Sequence, residues 1–139
     1  MADARAARLK AVPLFAHCTG KQIQFIVTQV EDMDFPAGRV LCTEGQSGGD
    51  FFVLLSGTAD VTRKGRRIAK MGAGDFFGEI ALVDGGPRTA TVTTTTPSRC
   101  LVLGPRQFQN VLHQDADIGH SVMKALTLRV REAGAAKAD

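Results

Sequence analysis

The spacing of apolar and polar residues changes twice along this chain of 139 residues. The first stretch, residues 2–11, sets small residues, Arg and Lys around Leu9 and predicts a helix that Pro13 ends or bends. Thr19 is a fair N-cap for a second helix over Lys21–Val30, with Ile23, Phe25, Ile26 and Val30 as its apolar set. The texture then shortens. Apolar or alternating runs at Asp32–Phe35, Arg39–Thr43, Phe51–Leu55, Ala59–Arg63, Arg67–Met71, Thr89–Thr95 and Arg99–Leu103 are separated by Gly, Pro, Asp and Ser. Short strands at regular spacing with turn signals between them predict a sandwich or jelly roll. Lys64-Gly65 predicts a hairpin turn, and the β-branched run Thr91–Thr96 favours strand. After Pro105 the helical spacing returns. Gln107–His113 carries Phe108, Val111 and Leu112, and Asp117–Glu132 carries Ile118, Val122, Ala125, Leu126 and Arg129. The Ala/Gly/Lys tail, 133–139, is expected to fray. The expected plan is one domain over 1–139: helices over about 2–30, a mainly β body over about 31–104, and helices over about 105–132.

Composition narrows the class. A hydrophobic share of 44% and a charged share of 22% fit an ordinary folded domain, not a disordered chain. With no Trp or Tyr, phenylalanine and aliphatic residues must build the core. The formal charge of +3, from 17 basic and 14 acidic residues, is too small an excess to point to nucleic acid and mildly favours an anionic ligand. Three cysteines, Cys18, Cys42 and Cys100, without Cys-x-x-Cys spacing suggest reduced thiols and a cytoplasmic location. No apolar run reaches bilayer-spanning length, so membrane insertion by this chain is not expected. The three histidines have no metal-ligand spacing with the cysteines, and no nucleophile, base and orienter set stands out, so neither a metal site nor an enzyme is expected.

The chemistry concentrates in Phe76–Val92, which holds one acid, one guanidinium and a short turn. Gly78 lets backbone approach closely. Glu79-Ile80-Ala81-Leu82 favour a short helix, which Asp84-Gly85-Gly86-Pro87 must end. Unpaired amides at a helix start suit an anion. Arg88 follows the turn with a planar fork that can grip two phosphate oxygens. Glu79 has the sign of a phosphate and suits a sugar hydroxyl instead. Thr89 adds a hydroxyl. The set predicts a site for a small ligand that carries both a phosphate and a ribose. The glycines of Gly72–Gly78 lack the spacing and the βαβ setting of a dinucleotide fingerprint. Arg39 and Glu44 either pair with each other or support the site.

The pattern Phe-Gly-Glu-Ile-Ala-Leu, a spacer, then Pro-Arg-Thr-Ala resembles the phosphate-binding cassette of cyclic nucleotide-binding domains. Such domains occur in protein kinase A regulatory subunits, catabolite activator protein and cyclic-nucleotide-gated channels. Leu9–Phe15, Phe35–Val40, Glu44-Gly45 and Phe51–Gly57 resemble the family's preceding elements, so the likeness covers roughly residues 9–131. The resemblance implies a β-roll (a double-stranded β-helix, or jelly roll) with N-terminal helices, a short cassette helix within 77–90 and C-terminal lid helices. It implies a ligand, cyclic AMP with cyclic GMP as the alternative, held by Phe77, Gly78, Glu79, Ile80, Ala81, Arg88, Thr89 and Ala90. Gly78, Ile80, Ala81 and Ala90 would contribute backbone amides, and Thr89 bears on the choice of base. Val61, Met71 and Ile80 would form an apolar bed under the purine, with Phe77 nearby, and Arg129 would cap it. The function implied is a non-catalytic, ligand-driven switch acting on an effector domain or protein that these residues do not identify. The alternatives are a docking domain that keeps the fold without the ligand, or the sensor part of a longer transcription factor, enzyme or channel.

Overall fold

The computed structural model describes residues 4–78, 81–82 and 85–138, with side chains in the last helix described as far as Leu128. It divides into a helical unit, 1–28 with 109–139, and a β unit, 29–108.

The helical unit opens with α1 (Ala4–Lys10), whose Leu9 is buried, and a single 3-10 turn over Pro13–Phe15 that buries Leu14 and Phe15. Proline at the start of that turn costs no hydrogen bond, because its missing N–H would be unpaired there anyway. The helix α2 (Gly20–Val27) begins in a capping box. The Thr19 hydroxyl accepts from the Gln22 N–H at 3.2 Å, and the Gln22 side chain accepts from the Thr19 N–H at 2.8 Å. It ends at Val27, short of the expected Val30, with Thr28 as its C-cap. The Thr28 hydroxyl turns back to donate to the Phe25 carbonyl at 2.6 Å. Two further helices, α3 (Pro105–Gln114) and α4 (Ala116–Ala138), close the chain. The junction between them is pinned by Asp115, whose carboxylate accepts from the Asp117 N–H and from the Gln22 side chain. Ile118, Val122 and Ala125 are buried at helical spacing on α4, which packs against the 3-10 turn. The helix continues through the alanine-rich tail to Ala138. Alanine has the best helix propensity, and Gly134 alone does not break the run.

The β unit is two four-stranded antiparallel sheets. One has the order β1 (Glu31–Phe35), β8 (Ser98–Leu103), β3 (Phe51–Ser56), β6 (Phe76–Phe77). The other has the order β2 (Val40–Cys42), β7 (Thr91–Thr94), β4 (Ala59–Arg63), β5 (Arg66–Met71). This is the expected β-roll. Strand β6 has no counterpart in the sequence reading, since two residues are too short a run to show alternation. Its pairing fixes Phe77 opposite Phe52, and the rings stack with centroids 4.8 Å apart. On that face Phe52, Leu54, Cys100 and Val102 form a buried cluster. Leu41 of β2 and Met71 of β5 pack onto it from the second sheet, which makes it the core between the sheets. The hairpin between β4 and β5 turns at Lys64-Gly65, both with positive φ (52° and 78°), as the sequence predicts.

Cysteines 18, 42 and 100 are all free thiols. Burial pushes Cys100 up to about 11, and its thiol stays protonated in the core. A group whose folded pKa is raised binds its proton more tightly in the folded state. Its contribution is therefore complete below about pH 9 and is lost as pH climbs towards 11. Relative to pH 8, the protein should lose about 1 kcal/mol at pH 10 from this group. Cys100→Val should remove that part of the alkaline decline, read as the difference between wild-type and variant stability in chemical denaturation at the two pH values. Parallel declines would mean that Cys100 does not titrate with unfolding.

Candidate functional site

Arg88 is buried, 8% exposed, although it carries a permanent charge. One loop holds it at both ends. Its main chain is tied to the segment after β2: the Arg88 N–H donates to the Gln46 carbonyl at 2.8 Å, and the Arg88 carbonyl accepts from Gly45 at 2.9 Å. The ladder continues through a Ser47–Pro87 bridge and a Gly48 N–H bond to Gly86 at 2.9 Å. Its side chain then returns to the same loop. Nε donates to the Gly48 carbonyl at 2.9 Å, and Nη2 donates to the Asp50 carbonyl at 2.5 Å. These bonds use two of the five N–H donors of a guanidinium. Among the described residues no carboxylate lies within ion-pair distance of it.

Two glycines make the seat. A Cβ at Gly49 would stand 2.6 Å from Arg88 Nη2, and one at Gly78 would collide with Arg88 Nη1 and stand 2.6 Å from the Asp50 carbonyl. Both have positive φ, 104° and 94°. Gly78, one of the expected ligand contacts, thus makes room for the arginine. Gly48, Gly49 and Asp50 were missed in the sequence. The doublet Gly48-Gly49 just before an apolar strand was the available signal.

The other expected residues fall as follows. Ala81 and Leu82 are helical and buried. Glu79 and Ile80, the expected ribose and base contacts, lie outside the described residues, as does the side chain of Arg129. Thr89 is exposed and Ala90 half-buried on the way into β7. The Arg63 Nε donates to the Thr89 carbonyl at 2.9 Å, and the Cys42 thiol donates to the Ala90 carbonyl at 3.6 Å. Burial pushes the Cys42 thiol up, against the opposing pull of the Arg88 charge. In the second sheet Cys42, Val92, Val61 and Ala69 stand opposite one another in one row, with Val92 buried and Val61 half-buried. Met71 and Phe77 are half-buried and pack on the core cluster. Arg39 and Glu44 do not pair with each other. Arg39 lies over the Phe35 ring at 5.9 Å, and Glu44 accepts the Lys64 N–H at 2.9 Å.

A buried guanidinium on carbonyl supports, beside a short helical turn, is suited to an oxyanion. Comparison with known proteins agrees with that chemistry. The family model described as the cyclic nucleotide-binding domain matches residues 32–115. This chain belongs to that family. Among its relatives, a cyclic nucleotide-gated potassium channel of Rhizobium etli is 34% identical over 82% of this chain and 32% of its own length. A cAMP-dependent protein kinase regulatory subunit of Yarrowia lipolytica is 35% identical over 75% of this chain and 28% of its own length. The chain therefore spans about a third of these relatives. Among solved structures, the N-terminal domain of a transcriptional regulator from Streptomyces coelicolor superposes with a TM-score of 0.82 at 29% identity, over 91% of this chain and 94% of that one. No described helix of this cyclic nucleotide-binding domain is long and apolar enough to cross a membrane.

The glycine seat can be tested apart from any ligand. Gly49→Ala should destabilise by about 1–3 kcal/mol, from strain at positive φ and from the contact with Nη2. In an Arg88→Ala background the steric part disappears, so the same substitution should cost less, a coupling readable in a double-mutant cycle by urea unfolding. Equal costs in the two backgrounds would separate Gly49 from Arg88.

Proposed function

We propose that this domain is a non-catalytic receptor for a cyclic nucleotide, cyclic AMP in the first place, and that it regulates an effector domain or protein. The observation that carries the reading is Arg88. A charge this buried is expensive to keep without a partner. Two carbonyl dipoles offset part of that cost and fix the plane of the fork, and among the described residues no carboxylate competes with a ligand oxyanion for its remaining donors. In this reading the cyclic phosphate meets Arg88 and the amides of the following turn, and Glu79 accepts from the ribose 2′-hydroxyl. The purine lies on Val61, Met71 and Ile80, near Phe77, with Arg129 as its cap. Thr89 takes part in the choice between adenine and guanine. The free thiols favour a reducing, cytoplasmic setting. The ligand acts as a switch only so far as it binds two states of the domain differently. A thousandfold difference supplies about 4 kcal/mol.

Isothermal titration with cyclic AMP, cyclic GMP and 5′-AMP tests the reading, on protein first freed of co-purified ligand. One cyclic nucleotide should bind saturably and 5′-AMP much more weakly. No heat and no thermal shift with any of the three would leave a docking domain of the same fold. Arg88→Lys should weaken binding on the order of a hundredfold, because a point charge replaces a bidentate, charge-assisted contact. Affinity within threefold of wild type would remove Arg88 from the site.

The ribose contact has its own test. Wild type should bind the 2′-deoxy ligand poorly, and Glu79→Gln should weaken binding of the ribose ligand while costing the 2′-deoxy ligand little more. Equal binding of the two ligands by wild type would end the role given to Glu79.

A further inference from the structure

The hairpin β4–β5 carries Arg63, Lys64, Arg66, Arg67 and Lys70, all exposed, and no acidic residue occurs between Val61 and Gly74. Among the described residues, the acids that meet it are Asp60, whose Oδ1 is 3.9 Å from Arg67, and Glu44, which accepts the Lys64 backbone N–H. Taking those five cations from the 17 in the chain, and those two acids from its 14, leaves twelve of each. The hairpin with these two acids thus carries +3, equal to the formal net charge of the protein.

Its position gives that excess a use. Ala59, Val61 and Arg63 share a face of β4, the face of the row that runs through Val92. Arg63 ends that face and donates to the carbonyl of Thr89, the residue after Arg88. Arg66 lies opposite Arg63 on that face, whereas Arg67 and Lys70, opposite Thr62 and Asp60, lie on the other face of the sheet, Lys70 about 10 Å further along the strand. The cations thus lie within one or two Debye lengths of the Thr89 backbone at physiological salt, where the length is about 8 Å. Strand β5 is an edge, and charges on an edge also deter pairing with other sheets. That role needs no link to Thr89.

We propose that the β4–β5 hairpin captures the anionic ligand electrostatically and steers it to Arg88, setting the association rate while the buried site sets the residence time. The inference rests on the receptor reading above. Arg63, bonded to the Thr89 carbonyl, is the last cation on that route. Steering of this kind follows the summed field of a patch rather than any single contact, and weakens as salt rises. It acts on any small anion, including an open nucleoside monophosphate. Discrimination therefore falls to the buried site.

The test is stopped-flow association of a fluorescent cyclic AMP analogue with wild type and with the triple variant Lys64→Asn, Arg66→Gln, Lys70→Gln. Asparagine suits the positive φ of residue 64, and the other two positions are exposed, so the variant should fold, which circular dichroism checks. A fluorescent ligand is needed because the chain has no Trp or Tyr. At low ionic strength the variant should associate about five- to tenfold more slowly, with its dissociation rate within twofold of wild type. The two association rates should converge as salt approaches 0.5 M, on the order of which screening reaches only a few ångströms. Unchanged association, or an effect confined to dissociation, would overturn the steering role and leave the receptor reading intact. No binding by wild type at any salt would overturn both.

Discussion

The β unit is organised around the attachment of Arg88 to the loop 45–50. A four-bond arrangement fixes it. Two backbone bonds join residue 88 to residues 45 and 46, and two guanidinium bonds join it to the carbonyls of 48 and 50. Because main chain and side chain meet the same loop, neither can shift without the other. The cost of burying the charge is therefore offset by dipoles that are already in place, and the orientation of the fork is settled before any ligand arrives. The choice of glycine at 49 and 78 follows from the same demand, since a Cβ at either would occupy the space of the guanidinium.

That arrangement explains what could be read in the sequence. Strand β4 was predicted over Ala59–Arg63 and is found there, because a glycine turn bounds it on each side and its alternation matches a half-buried sheet. The family resemblance was legible because its motif packs an arginine, an acid and a turn signal into a dozen consecutive residues. The seat of Arg88 was not. It comes from residues some forty positions earlier, which meet the cassette only through sheet pairing, and pairing leaves no periodic signal. The end of α2 was misread, and the last helix was read only in part, each for a local reason. At Thr28 a side-chain hydroxyl competes for the carbonyl of Phe25, while at the C-terminus a run of alanines outweighs one glycine.

The residues assigned to the purine bed have a second duty that limits what they can decide. Phe77 stacks on Phe52, and Met71 closes the cluster between the two sheets, so each contributes to the core whatever lies above it. Truncating either half-buried side chain removes contacts with that cluster. A loss of binding in such a variant would report on the fold as much as on the ligand. In the proposed reading, a bed built this way would offer a purine an apolar surface without telling one base from another. Discrimination must come from polar groups that can change without disturbing the core. Of the expected contacts, Thr89 has that freedom. It is exposed, and its carbonyl, not its hydroxyl, carries the tie to Arg63. If the proposed site holds, the physics of the core would thus separate affinity for the ring from choice of the base, and would assign the second to the edge of the site.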